Sequence, residues 1–188
     1  SAFLALELIR QEMQERQMGF AEAIAAARKR IVFTNHTLVA AGREVYSNDL
    51  VVLMLAGYAQ ELGVPVSEVV KLGLVQESSM FSMTMLSLRM AEIVNAVSKL
   101  HAQKAADIWI DHPMTAVTNG IHIATWDKAG DDVVAGHQKQ KQKLLTELRW
   151  DPKYLVLGWA RRFVEYKRPL AILADLDRFM ALARNFQY

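Results

Sequence analysis

Cysteine is absent from this sequence, and no apolar run is long enough to cross a membrane. Without cysteine the chain can form no disulfide framework, no thiolate metal site and no cysteine nucleophile. Residues 1–20 are partly apolar, but charged residues interrupt them too often for a signal peptide. We therefore predict a cytoplasmic protein that does not enter a membrane.

An excess of charge of one sign is also lacking. The 22 Lys and Arg residues stand against 20 Asp and Glu residues, which gives a formal net charge of +2. Because no long basic run accompanies so small an excess, we predict no nucleic-acid partner. With 52% hydrophobic and 22% charged residues, a chain of 188 residues is typical of a globular protein with one sizeable core or parts of two.

Helix-forming segments alternate with short apolar runs along the chain, which predicts a helix-rich α/β fold. Residues 3–30 favour one broken helix or two, and Val134–Leu148 favours a solvated helix. Two short runs, Ile31–Thr34 and Thr115–Thr118, are candidate strands. The first would leave Asn35-His36-Thr37 at its end, where side chains face clefts more often than they do in strand middles.

The strongest helical pattern lies between Ser79 and Trp109. Apolar residues recur there at alternating spacings of three and four, at Met83, Leu86, Met90, Ile93, Val97 and Leu100. Such a stripe is far more often core than a cofactor site. Asn95 lies beside the stripe and Ser98 can cap a second helix, so we predict a break between two helices at Asn95.

A basic loop near the end of the chain is the most informative feature for function. Tyr154–Gly158 has the pattern of a buried strand and Pro169 can begin a helix, which together predict the first unit of a doubly wound sheet. The loop between them carries Arg161, Arg162, Lys167 and Arg168. Cations beside the N–H groups of a helix N-terminus suit a phosphate, and a loop whose cations simply face water is the alternative.

The histidines leave several interpretations open. His36 could be a general acid or base, a ligand or a satisfied core histidine. The pairs His101/His112 and His112/His122 lack the short spacing or the acidic partner of a metal site, so we predict no bound metal. Motifs alone therefore indicate at most a binder of phosphate or of sugar phosphates.

Four segments, taken in order, resemble the α-glucan (glycogen and maltodextrin) phosphorylase family of glycosyltransferases. They are Phe33–Thr37, Val94–His101, Val117–His122 with Thr125-Trp126, and Gly158–Phe163 with Tyr166–Arg168. Each is weak alone, but their order makes a specific signal. Ala41-Gly42 is more similar to the short bacterial and archaeal branch. Because the chain begins at Ser1 inside a helix-like pattern, we interpret it as an internal fragment.

The resemblance implies two sets of site residues. The pocket for the transferred glucose would use hydrogen-bonding groups of His36, Asn95 and Tyr166. The phosphate side would use Arg162 and Lys167 as catalytic cations, with Arg161 beside the cofactor.

The implied enzyme depends on pyridoxal phosphate and cleaves terminal α-1,4-linked glucose from an α-glucan or maltooligosaccharide with inorganic phosphate. Its fold would be of the GT-B type. Residues 1–110 would form the end of an N-terminal glucan-binding domain, and residues 111–188 the start of a C-terminal cofactor- and phosphate-binding domain. The cofactor lysine is not in this chain, so we expect the chain alone to be inactive.

Other interpretations stay open beside the enzyme. One is a catalytically silent module that binds carbohydrate or phosphate, and another is a structural fragment that associates with a second chain. Homo-oligomerisation is also left open.

Overall fold

A computed structural model describes residues 2–75, 78–153 and 155–185. Its helices are α1 (Leu4–Arg16), α2 (Phe20–Arg28), α3 (Asn48–Glu61), α4 (Val66–Lys71), α5 (Met83–Met90), α6 (Lys99–Ile108), α7 (Ile123–Trp126), α8 (Val133–Leu148) and α9 (Leu176–Asn185). Its strands are β1 (Val32–Asn35), β2 (Val45–Ser47), β3 (Leu74–Val75), β4 (Met80–Ser82), β5 (Ile93–Ala96) and β6 (Thr115–Ala116). The predicted α/β class is confirmed. The chain forms two units, a first unit of residues 1–120 and a second unit of residues 121–188.

Residues 3–30 form two helices, which confirms the second of the two alternatives predicted for this segment. Helix α1 ends where Gln17 adopts a left-handed φ of 55°, and α2 begins after Gly19. The buried Glu12 of α1 pairs with Arg16 at 3.0 Å and with Arg30 at 2.8 Å. A buried carboxylate needs such partners, and the pair with Arg30 ties α1 to the chain beyond α2.

The core of the first unit lies among helices α1 to α5 and strand β4. Its fully buried side chains include Ile9, Ala23, Ala27, Val69, Phe81, Leu86 and Met90. A second, smaller cluster joins Leu88, Ala105 and Trp109 to Phe33 and Val94, which belong to β1 and β5. Close packing of this kind gives the strands a fixed support.

Two small sheets organise the first unit. Strands β1, β5 and β6 form a parallel sheet in the order β1-β5-β6, and β2, β4 and β3 form an antiparallel sheet in the order β2-β4-β3. The parallel register places Thr34 opposite Asn95, and Asn95 opposite Thr115. The three parallel strands therefore end at one edge, where the N–H of Val117 donates to the carbonyl of Ala96 at 2.8 Å.

The single apolar stripe predicted between Ser79 and Trp109 is wrong in its second half. Leu86 and Met90 are fully buried on α5, but Ile93 is 53% exposed on β5 and Leu100 is 65% exposed on α6. The reason is that the β-branched run at the start of β5 pairs with β1, and tertiary pairing overrides a helical period. The predicted break at Asn95 is confirmed, and it takes the form of a strand.

The buried strand predicted at Tyr154–Gly158 is also wrong for the residues that the structure describes. Tyr154 lies outside them, residues 155–158 have no regular structure, and Leu155 and Leu157 are 64% and 67% exposed. A strand needs a neighbour to satisfy its backbone N–H and C=O groups. Residues 121–153 and 155–185 contain no strand that could serve as that neighbour.

The helix predicted to follow the basic loop begins at Leu176 and not at Pro169. Between these residues the chain makes only a 3₁₀ turn at Ala171–Leu173. Asp175 explains the later start, because its Oδ1 accepts a hydrogen bond from the backbone N of Arg178 at 2.9 Å. An Asp in this place satisfies an N–H group that a helix start otherwise leaves unpaired.

Candidate functional site

Polar side chains gather at the carboxyl edge of the parallel sheet. Ligands of parallel α/β sheets bind outside this edge, because the loops that follow the strands diverge there. In the first unit these loops begin with His36 after β1 and with Val97 after β5. The carboxyl edge of this sheet is therefore the candidate position for a ligand.

Asn95 is held in one orientation by the neighbouring strand. The hydroxyl of Thr34 on β1 donates a hydrogen bond to Oδ1 of Asn95 on β5 at 2.8 Å. The parallel register makes the contact, because it sets these two residues opposite each other. With Oδ1 facing Thr34, the Nδ2 group of Asn95 is left to donate to another partner.

Asn35 forms a second polar link at the same edge. Its side chain is 3% exposed, and its Oδ1 accepts from the backbone N of Thr37 at 3.2 Å. The same oxygen lies 2.8 Å from Nε2 of His101, on the first turn of α6. Burial, and then the charge of the nearby His36, lower the pKa of His101 below its ordinary value, which favours a neutral ring at pH 7.

A cavity of about 580 Å³ opens beside the end of β1. Its walls include the polar side chains of Thr34, His36, Glu44, Thr84 and Ser87. His36 is itself exposed, whereas Asn35 beneath it is buried. Hydroxyl, carboxylate and imidazole groups around a cavity of this size suit a small ligand rich in hydroxyls.

Gly42 allows the cavity wall to close on the His36 loop. A Cβ at Gly42 would lie 2.3 Å from Cγ2 of Thr37, which is too close for two carbon atoms that are not bonded to each other. The 3₁₀ turn Ala40–Gly42 therefore packs against Thr37 only because Gly42 has no side chain.

Two of the predicted phosphate-side residues contact Tyr166, which was predicted for the sugar pocket. Nη2 of Arg162 donates a hydrogen bond to Oη of Tyr166 at 3.0 Å. Nζ of Lys167 lies 4.9 Å from the centre of the Tyr166 ring, a cation–π contact. Arg161 is exposed on the same loop. The loop thus presents two cations around one tyrosine, with a third beside them.

The structure brings the predicted site residues together in two groups. His36 and Asn95 lie at the ends of adjacent strands of the first unit. In the second unit Tyr166 and Lys167 lie on the 3₁₀ turn Glu165–Lys167, and Arg162 precedes that turn and contacts Tyr166. Sequence reasoning missed His101, which it weighed only as half of a metal pair. Its place within the Val94–His101 motif was the signal that could have found it.

The described parts of the chain hold neither a metal cluster nor a membrane-spanning helix. Within residues 2–75, 78–153 and 155–185, no three His, Asp or Glu side chains are placed to hold a metal ion. None of the helices described there combines the length and the apolar character needed to cross a bilayer.

Comparison with known proteins shows which class of enzyme the chain is similar to. The chain is similar to a segment of the α-glucan phosphorylases, which confirms the resemblance of its motifs. The maltodextrin phosphorylase of Thermococcus litoralis is 28% identical over 242 aligned positions, which cover 98% of this chain and 28% of that protein. The glycogen phosphorylase of Mycobacterium tuberculosis is 27% identical and covers 100% of this chain, and that of Aquifex aeolicus is 25% identical and covers 87%. No protein-family model matches the chain.

The chain spans about a third or less of the length of these relatives, between 28% and 33%. The 242 positions aligned with the Thermococcus protein also exceed the 188 residues of this chain. The relative therefore carries residues inside the matched region that this chain lacks.

Proposed function

We propose that the whole protein is an α-glucan phosphorylase. It would transfer the terminal α-1,4-linked glucose of an α-glucan or maltooligosaccharide to inorganic phosphate and release glucose 1-phosphate. The observation that carries this proposal is the similarity to a maltodextrin phosphorylase along 98% of the chain. In support, two of the matched motifs, Phe33–Thr37 and Val94–His101, meet at one sheet edge.

The sugar side of the proposed site uses His36, Asn95 and Tyr166. Asn95 would donate from Nδ2 to a sugar hydroxyl, because Thr34 already occupies its Oδ1. His36 would contact the sugar from the cavity wall. Tyr166 accepts from Arg162, which leaves its hydroxyl proton for donation to the sugar.

The phosphate side uses Arg162 and Lys167. Phosphorolysis brings phosphate close to a sugar that gains positive charge in the transition state, so fixed cations must hold the phosphate in place. Arg162 has donors beyond the one that contacts Tyr166, and a guanidinium can hold a phosphate through two of them. Lys167 adds a second charge on the same turn.

The same loop fits a cofactor that carries a phosphate. Its guanidinium and ammonium groups are the donor set that phosphate requires, and Arg161 would contact pyridoxal phosphate beside the other two cations. When bound, that cofactor supplies a phosphate group that exchanges a proton with the substrate phosphate. Arg162 and Lys167 would hold the substrate phosphate where this exchange can occur.

We further propose a GT-B arrangement for the whole protein. Residues 1–110 would belong to its glucan-binding domain and residues 111–188 to its cofactor- and phosphate-binding domain. The parallel sheet of the first unit supports the α/β part of this proposal. A cytoplasmic location would fit a cytoplasmic glucan substrate.

The test is phosphorolysis by the purified whole protein. Maltooligosaccharide and inorganic phosphate are supplied, glucose 1-phosphate is measured, and pyridoxal absorbance is recorded on the same sample. Both signals are expected. Maltooligosaccharide binding, measured separately by calorimetry, without glucose 1-phosphate would favour the silent binding module. The absence of binding, of absorbance and of product would leave only a structural role.

A further inference from the structure

His101 links the helix after β5 to the last residue of β1. Its backbone N–H donates to Oγ of Ser98 at 3.1 Å, which fixes His101 in the first turn of α6. Its ring then reaches Asn35, with 2.8 Å between Nε2 and Oδ1. The contact spans 66 positions of sequence, so it joins two segments that only the parallel sheet brings together.

The hydrogen bonds of Asn35 determine which ring nitrogen of His101 carries the proton. The backbone N–H of Thr37 can only donate, so the Asn35 atom that faces it must be the oxygen. That same oxygen faces Nε2 of His101, and it can only accept. Nε2 must therefore be protonated, and in a neutral ring Nδ1 is then the unprotonated nitrogen.

This bond lies next to the loop that carries His36. Asn35 is buried, and its oxygen is the common acceptor for the backbone of Thr37 and the ring of His101. His36 lies between Asn35 and Thr37 and contributes to the cavity wall. Loss of either donor would leave the buried oxygen with one partner fewer and would loosen the turn around His36.

We propose that His101 is a positioning residue of the sugar pocket, whose Nε2–H holds Asn35 and thereby presents His36 to the cavity. The proposal rests on the proposed function in one respect, which is that the ligand of the pocket is a sugar. The bond between His101 and Asn35 does not depend on it. A core histidine that is merely satisfied would make the same bond. The two roles differ in the effect of a substitution: replacing a merely satisfied histidine at position 101 would leave the conformation of His36 unchanged.

The first experiment measures steady-state phosphorolysis by the whole protein with His101→Leu, His101→Gln and Gln103→Leu. His101→Leu removes the donor, whereas the amide nitrogen of His101→Gln can take the place of Nε2. The expected result is a KM for maltooligosaccharide about tenfold higher in His101→Leu, with a smaller change in kcat and in the KM for phosphate. His101→Gln should recover most of the loss. Gln103→Leu changes an exposed residue of the same helix and should match the unmodified protein.

The second experiment needs no glucan. Long-range ¹H–¹⁵N correlation spectra identify the tautomer of each histidine ring, and they are recorded for the unmodified protein and the three variants. We expect the Nε2–H form for His101, and a shift of the His36 ring signals in His101→Leu that is smaller in His101→Gln.

The outcomes separate the two proposals. An Nδ1–H form of His101, unmoved His36 signals in a folded His101→Leu variant, or an unchanged KM would each overturn the positioning role. If the unmodified protein neither binds nor cleaves glucans, the proposed function fails, and the spectra alone then decide whether His101 holds the His36 loop.

Discussion

The two units of this chain hold their candidate residues in different ways. In the first unit, Thr34 fixes Asn95 through a hydrogen bond between two strands. His101 fixes Asn35 through a hydrogen bond between a helix and a strand. In the second unit, Arg162 and Lys167 contact Tyr166 across only a few positions of sequence, and residues 155–161 form no strand. Long-range contacts therefore determine the geometry of the first group, whereas local contacts determine that of the second.

The difference has a physical origin in burial. The strands of the first unit rest on packed side chains, so a polar group at their ends must find a partner. The cations of the second unit are largely exposed and can be solvated by water. We therefore expect substitutions in the first unit to alter stability and binding together, and substitutions in the loop to alter chemistry alone.

The largest effect should come from the core of the first unit. Leu86→Ala removes a fully buried side chain from that core and should lower the free energy of unfolding by about 3 kcal/mol. Leu155→Ala, in the second unit, truncates a side chain that is 64% exposed and should cost less than about 0.5 kcal/mol. Urea denaturation of the two variants compares them directly, and equal losses would show that the units do not differ in this way.

The next effect concerns the loop. Lys167→Ala should lower kcat/KM for phosphate about a hundredfold, because it removes one fixed cation from the transferring phosphate. The affinity for maltooligosaccharide, measured by calorimetry, should change less than about twofold. Lys139→Ala, an exposed position on α8, serves as the control for loss of one positive charge. An equal loss of glucan affinity in Lys167→Ala would contradict the assigned role.

A smaller effect is expected where the cavity wall meets the His36 loop. Gly42→Ala forces Thr37 to move, since the new Cβ would lie 2.3 Å from its Cγ2. We expect about 1–3 kcal/mol of destabilisation together with a higher KM for maltooligosaccharide. Gly57→Ala lies on α3, and beyond the local helix backbone no atom lies within 4 Å of the new Cβ. It should leave KM unchanged and stabilise the helix slightly. A normal KM in Gly42→Ala would show that the loop adapts.

The smallest effect is a dependence of stability on pH. Burial, followed by the charge of His36, lowers the pKa of His101, and burial, followed by the charge of Arg89, lowers that of His112. The unfolded chain therefore binds more protons than the folded chain below about pH 6.5, the ordinary value for histidine. The contribution of these two histidines to the free energy of unfolding should be fully present above that pH. It should be lost as the pH decreases towards the lowered pKa values.

Thermal unfolding at a series of pH values measures this dependence. His101→Gln should show a weaker dependence than the unmodified chain, because it removes one of the two contributing histidines. Gln103→Leu should retain the full dependence. Unchanged dependence in His101→Gln would show that His101 titrates alike in the folded and unfolded states.

The strands around the candidate site were predictable only in part. The run Ile31–Thr34 correctly indicated a strand that ends near His36, because its β-branched and aromatic residues are local signals. The apolar spacing between Ser79 and Trp109 was misleading, because Ile93 and Val94 fit a helical period and a strand equally well. Only the pairing of β5 with β1 distinguishes these two conformations.

The sequence by itself determined that residues 3–30 are helical with a break, and it determined the Ser98 cap, the cations of the basic loop and the resemblance to α-glucan phosphorylases. These depend on residues close together in the chain or on the order of short motifs. Only the tertiary structure decided that Asn95 stands opposite Thr34, that His101 reaches Asn35 and that residues 155–158 form no strand. Each of those outcomes depends on whether a distant segment is present to pair, which no local pattern can determine.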